Sequence, residues 1–186
     1  MTWDLPVSVD INGEKHLIHD RCDYRVVLNT ICALNASELT DEEKIRAALL
    51  NFYEHPDKIT DVVEAVKAMY AIIGGGDDGE NAASNSNKPR LMDWEHDFKY
   101  IAPPISRVLG YDIRDPDRYT HWMTFLGGYS EIGECTFATV VSIRHKRATG
   151  KKLEKWENEF IREHRDMIEL PQKLTAEEQA VLDSEW

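Results

Sequence analysis

The stretch from Gly74 to Arg90 contains no large apolar side chain. Glycine, asparagine, serine and acidic residues fill it, so nothing in it can enter a hydrophobic core. It reads as a flexible linker spanning on the order of 20 Å root-mean-square. It divides the 186-residue chain into an N-terminal part, 1–73, the linker, 74–90, and a C-terminal part, 91–186. Whether the two parts share one core is left open by this division.

The N-terminal part begins with strand periodicity. Val7, Val9 and Ile11 alternate with polar residues, and Asn12-Gly13 follows, the favoured pair for a two-residue type I′ turn. A second short strand over Lys15 to Ile18 completes a hairpin. Asp23 then caps a helix whose stripe is Tyr24, Val27, Leu28 and Ile31. Thr40 with Glu43 forms a capping box, and the stripe behind it is Ile45, Ala48, Leu49, Phe52 and Tyr53. His55-Pro56 ends that helix. Thr60 caps a third, with Val62, Val66, Met69 and Ile73 on one face.

The C-terminal part reads as helical. Trp94, Phe98, Ile101, Ile105, Val108 and Leu109 recur at steps of four and three. Pro103-Pro104 interrupts this pattern, and a break or kink is expected over 99–104 because proline removes a helical bond and crowds the preceding turn. Gly110 ends the helix. Another is expected from Asp115-Pro116, carrying Tyr119, Trp122, Met123, Leu126 and Tyr129, with a weak end at Gly127-Gly128. Phe137, Val140, Val141 and Arg144 fit a helix, although the β-branched residues leave a strand open. A polar helix from about Lys151 has Leu153, Trp156, Phe160 and Met167 on its narrow apolar face. Thr175 to Glu178 opens a last short helix. The expected fold is mainly α: an N-terminal β-hairpin, helices, the linker and a C-terminal helical bundle.

Charge narrows the partners. The chain carries 34 acidic and 22 basic side chains, a formal net charge of −12. That field repels nucleic-acid phosphates and anionic membranes. The apolar runs fall far short of the roughly 20 residues of a membrane span. The first residues show neither a basic start nor an apolar stretch, so no signal peptide is expected. Three scattered cysteines, Cys22, Cys32 and Cys135, suit a reducing compartment better than a disulfide framework.

Four segments carry a family likeness. They are the acidic-aromatic helix from Asp93 to Ile101, the link Gly110 to Ile113, the signature His121-Trp122-Met123-Thr124-Phe125-Leu126, and the apolar step Val140 to Ile143 leading into Arg144. Together they resemble the phage gene-fifteen-product family of tailed-phage and prophage proteins, with Trp94, Phe98, His121, Trp122 and Phe125 as the motif core. The front half follows loosely: strand, Asn-Gly turn, strand, helices. Members are typically encoded beside the tape-measure gene of siphophages. The resemblance implies a bacteriophage tail-morphogenesis protein in the host cytoplasm, a non-enzymatic assembly chaperone for the tape-measure protein. The alternative is a minor structural component retained in the virion. Tape-measure protein, other tail proteins and a second copy of this chain are the expected partners; no cofactor is expected.

Site chemistry is sparse. His16, His19 and Cys22 have zinc-ligand character, with Cys32 as a fourth ligand. Residues three apart on a strand point to opposite faces, so the plainer reading is a half-exposed hairpin and a core cysteine. His121 has no nucleophile motif beside it and reads as a polar neighbour of the Trp122 anchor. Glu131, Glu134 and Cys135 read as an interhelical loop. Gly74 to Gly76 precedes no Lys-Ser or Lys-Thr, and Asp77 to Glu80 lacks calcium-loop spacing.

From Arg144 to Ile168 there are eight basic and five acidic residues, +3 against −15 elsewhere. That segment leaves DNA binding open, but its alternating signs fit a solvated face or a contact with the acidic front half of a neighbouring copy. The stripe Leu153, Trp156, Phe160 and Met167 is the expected partner-binding face. Packing within the C-terminal half is its plainer reading.

Overall fold

The computed structural model describes residues 4–75 and 89–171. Most of the linker 74–90, and the helix expected from Thr175, lie outside the described residues. The described chain forms two compact units. One contains 4–75 with 119–126, and the other 89–118 with 127–171. Residues 119–126, which the sequence division leaves in the C-terminal part, thus pack with the N-terminal unit.

In the N-terminal unit, β1 (Ser8–Ile11) and β2 (Glu14–Leu17) pair antiparallel, Ser8 opposite Leu17 and Ile11 opposite Glu14. Asn12 and Gly13 both take positive φ (53° and 87°), as the type I′ turn requires. Helix α1 (Tyr24–Leu34) is capped by Asp23, whose carboxylate accepts from the Arg25 N–H at 3.0 Å. Helix α2 (Asp41–Phe52) carries the expected capping box between Thr40 and Glu43. Tyr53 then bridges to Ile18 of the hairpin, and its hydroxyl donates to the Ala65 carbonyl at 2.8 Å.

Helix α3 (Val62–Ile73) differs from expectation. Asp61, not Thr60, is its cap, accepting from Glu64 N–H while also holding Asn12 of the turn. Ala65, Met69 and Ile72 face the core, and Val62 and Val63 are exposed. The Tyr53 hydroxyl bonds the Ala65 carbonyl, and the buried stripe runs through Ala65 rather than Val62 and Val66.

In the C-terminal unit, α4 (Trp94–Leu109) runs without a break through Pro103 and Pro104, against expectation. Pro103 and Lys99, the carbonyl it leaves without a donor, lie on the exposed side, where water can take that bond. Ile101, Ala102, Pro104 and Ile105 are buried and hold the turn in place. Gly110 ends the helix at φ 77°.

Asp115-Pro116 starts no helix. It forms a turn closed by Asp115, whose carbonyl accepts from Arg118 N–H and whose carboxylate accepts from Asp117 N–H. Helix α5 (Trp122–Ser130) begins later and continues through Gly127-Gly128. A Cβ at Gly128 would come within 3.1 Å of Ile105 and 3.2 Å of Leu109, so glycine permits a close approach to α4. Helix α6 (Thr136–Ala148) settles the ambiguity at the β-branched run as helix, with Cys135 as its cap. The expected single helix from Lys151 is two: α7 (Lys155–Glu163) and α8 (Arg165–Ile168), separated at His164 (φ −127°).

Candidate interaction surface and the clusters that support it

The acidic-aromatic segment and the apolar step meet in the C-terminal unit. Asp97 of α4 is fully buried, and Arg144 of α6 nearly so. The Arg144 guanidinium donates twice to the Asp97 carboxylate, at 2.6 and 2.9 Å. Its remaining N–H groups reach the carbonyls of Leu91, Met167 and Ile168 at 2.7 to 3.0 Å. All five donors of the planar fork are used, which a lysine could not do.

Asp97 also accepts from the Asp93 N–H and contacts His96 Nδ1. Burial pushes its carboxyl up, but the bonds from Arg144, the Asp93 amide and His96 outweigh burial and hold it below the usual carboxylate range. Asp93 in turn pairs with Arg90. The cluster ties α4, α6, α8 and the entry to α4 together. The spacing pattern did not reveal it, although its two central residues lie within the likeness-bearing segments.

The His-Trp signature builds a second cluster, in the N-terminal unit. Trp122 stacks on Phe125 with ring centroids 5.4 Å apart, and Phe125 stacks on Tyr24 at 4.7 Å. The Trp122 indole N–H donates to the carbonyls of Ile72 and Ile73 at the end of α3, where the Ile72 carbonyl also accepts from the Gly75 N–H. His121 Nδ1 accepts from the Met123 N–H, capping α5, which leaves Nε2 to donate to the Pro6 carbonyl. Asp23 accepts from Thr120 N–H, and the Cys22 carbonyl accepts from Trp122 N–H.

These bonds fix an unusual backbone run: Asp20, Arg21 and Cys22 all take positive φ, 44° to 64°. Left-handed conformation costs roughly 1–2 kcal/mol per residue outside glycine, and the contacts from 119–122 hold it. Of the other motif residues, Trp94 packs on Tyr129 at 5.5 Å and Phe98 is half-buried.

The metal-like triplet is not assembled. Among the described residues, no three His, Cys, Asp or Glu side chains gather where they could hold a metal ion. His16 packs edge-on against Tyr53, and His19 lies in a separate 3₁₀ turn, His19–Arg21. Burial pushes the Cys22 thiol up to about 12, so the thiolate that zinc needs is disfavoured.

The expected partner-binding stripe is mostly packed. Leu153, Phe160 and Met167 lie against Val140, Ile143 and Ile168. Trp156 does not join them: it is 51% exposed, and its indole N–H donates to Glu154. The residue that α7 buries fully is Glu157, whose carboxylate accepts from Lys146 at 2.7 Å. Two of the eight basic residues from 144 to 168, Arg144 and Lys146, are thus committed within the unit.

The open apolar surface is elsewhere, on α2, α3 and the 3₁₀ turn Pro56–Lys58 between them. A groove of about 480 Å³ is floored by Ile45, Leu49, Leu50, Ile59 and Val62. Glu42, Arg46, Pro56 and Asp57 complete its lining. Leu50 and Val62 are about half exposed, and Val63 beside them is 64% exposed. The sequence reading missed this surface because it turned Val62 inward and gave Leu50 no role. The signal was an excess of apolar residues over one stripe: Leu49-Leu50 and Val62-Val63 cannot all face one core.

Among the described residues, no helix is long and apolar enough to cross a membrane. The family model described as Bacteriophage Gp15 protein matches residues 1–170. No curated protein and no solved structure matches the chain.

Proposed function

The chain belongs to the Bacteriophage Gp15 protein family, and we propose that it serves tail morphogenesis as a non-enzymatic assembly chaperone for the tape-measure protein. It acts in the cytoplasm of the bacterial host. A tape-measure protein is a long helical chain whose apolar stripes aggregate until tube subunits enclose them. A chaperone for it needs an exposed apolar surface on a framework that does not collapse around that surface. The observation that carries this reading is the groove between α2 and α3. It lies on a unit whose own core is completed by Leu49, Phe52, Tyr53, Met69 and Trp122, so the exposed Leu50 and Val62 of its floor are surplus to folding. Exposed apolar surface of this kind marks an interaction site.

The acidic rim at Glu42 and Asp57 keeps an empty groove hydrated and favours client segments with basic flanks. DNA binding draws little support, because Arg144 and Lys146 are engaged internally.

Co-expression with the neighbouring tape-measure protein tests the function. The expected result is a soluble complex recovered by pull-down and absent from purified virions. Presence of this chain in virions would instead support the minor structural component. An insoluble tape measure with no complex would remove the chaperone reading.

A further inference from the structure

We propose that the α2–α3 groove also receives Trp156 from a second copy of this chain, in a head-to-tail contact. The proposal goes beyond the chaperone reading and does not depend on the client. Trp156 stands at the start of α7 with half its surface exposed, while Leu153 and Phe160 from the same stretch turn inward. Tryptophan is among the side chains enriched at the energetic centres of interfaces. The groove offers an apolar floor of Leu49, Leu50 and Val62.

The charges around the two sites are complementary. Trp156 is preceded by exposed Arg147, Lys151, Lys152 and Lys155, and the groove rim presents Glu42 and Asp57. The exception on each side also matches: Glu154, which holds the Trp156 indole, finds Arg46 in the groove. Over residues 4–75 there are 13 acidic and 7 basic side chains, a net −6, against +3 for residues 144–168.

The contact is heterologous, because each copy contributes a groove at one place and a tryptophan at another. Pairing two copies therefore leaves one groove and one tryptophan unused, and assembly continues into longer chains or closes as a ring. Salt weakens it by screening the rim charges. A client helix in the groove competes with it, so client binding disperses the assembly.

Sedimentation velocity on the full-length protein, alone and without client, tests this. The expected result is a mass that rises with protein concentration and falls with added salt. Trp156→Ala and Leu50→Asp each abolish the rise. Mixed in equal amounts, the two variants give a dimer and nothing larger, because together they hold one intact groove and one intact tryptophan. Asp57→Lys serves as a second groove variant if Leu50→Asp fails to fold by circular dichroism.

A monomer at all concentrations would overturn the proposal. So would undiminished association of Trp156→Ala, or a mixture that stays monomeric. None of these outcomes bears on the co-expression result, and a failed co-expression leaves this contact standing.

Discussion

The Asp97–Arg144 cluster and the α2–α3 groove are opposite kinds of place. The first is closed, polar and fully bonded: a buried carboxylate and a guanidinium that spends all five donors inside the C-terminal unit. The second is open and apolar, with Leu50 and Val62 of its floor half exposed on the N-terminal unit. The family match spans residues 1–170 and so covers both places. The contrast teaches that Asp97, Arg144, His121 and Trp122 are used in holding each unit together internally. The surface left for a partner comes from apolar side chains that local packing cannot absorb.

Breaking the closed side has the largest expected effect on stability. Asp97→Ala leaves the Arg144 guanidinium buried beside no carboxylate, at a cost of about 3–5 kcal/mol, measurable by urea unfolding. Removing both charges gives no full relief here, because the carbonyls of Leu91, Met167 and Ile168 lose their donors too.

The same pair sets an acid limit. The Asp97 carboxyl titrates lower in the folded protein than in the unfolded chain, so the unfolded state binds the proton more readily. Its stabilisation is fully present above the unfolded carboxylate range, about pH 4, and is lost as pH falls through the lower folded value. Asp97→Asn flattens that part of the stability–pH curve below pH 5.

A smaller loss is expected at the His-Trp cluster. Trp122→Phe keeps an aromatic ring against Phe125 but removes the N–H that reaches Ile72 and Ile73. The cost is about 1 kcal/mol, for the bond lost at the Ile73 carbonyl, since the Ile72 carbonyl keeps the Gly75 N–H. Cys22 reports on the same region. Its burial and a thiol pushed up to about 12 predict no reaction with a thiol reagent at pH 8 until the protein unfolds. Mass spectrometry of the labelled peptides reads this, and prompt labelling of Cys22 in the folded state would show the turn 20–22 to be open.

Leu50→Asp has the smallest expected effect on stability, within about 0.5 kcal/mol, because the side chain already stands half in water. Its effect on partner binding is the sharpest expected of any groove substitution. The comparison turns on that inversion between stability and binding.

Much of the architecture was legible because it rests on local rules. The Asn12-Gly13 turn, the Asp23 cap, the Thr40–Glu43 capping box and the stop at Gly110 depend on neighbouring residues alone, and all are present. Errors arose where a distant contact outweighs a local preference. Burial of Ile101, Ala102 and Ile105 carries α4 through two prolines. The buried stripe of α3 runs through Ala65, whose carbonyl holds the hydroxyl of Tyr53. The bonds of Thr120 and Trp122 to Asp23 and Cys22 postpone α5 past Asp115-Pro116.

The site was less legible for the same reason. The stripe through Leu153, Phe160 and Met167 was correctly apolar, but periodicity cannot distinguish a face that binds a partner from one that meets its own core. Spacing places Trp156 on the same stripe, yet α7 turns Glu157 inward to meet Lys146 and leaves the indole outside.

The most direct test is a co-expression pull-down of the tape-measure protein with Leu50→Asp/Val62→Asp beside the unaltered chain, after both are shown to unfold at the same urea concentration. The account predicts that the variant folds normally, fails to recover the tape measure and leaves it insoluble. Recovery equal to that of the unaltered chain would contradict the assignment of the groove as the client surface.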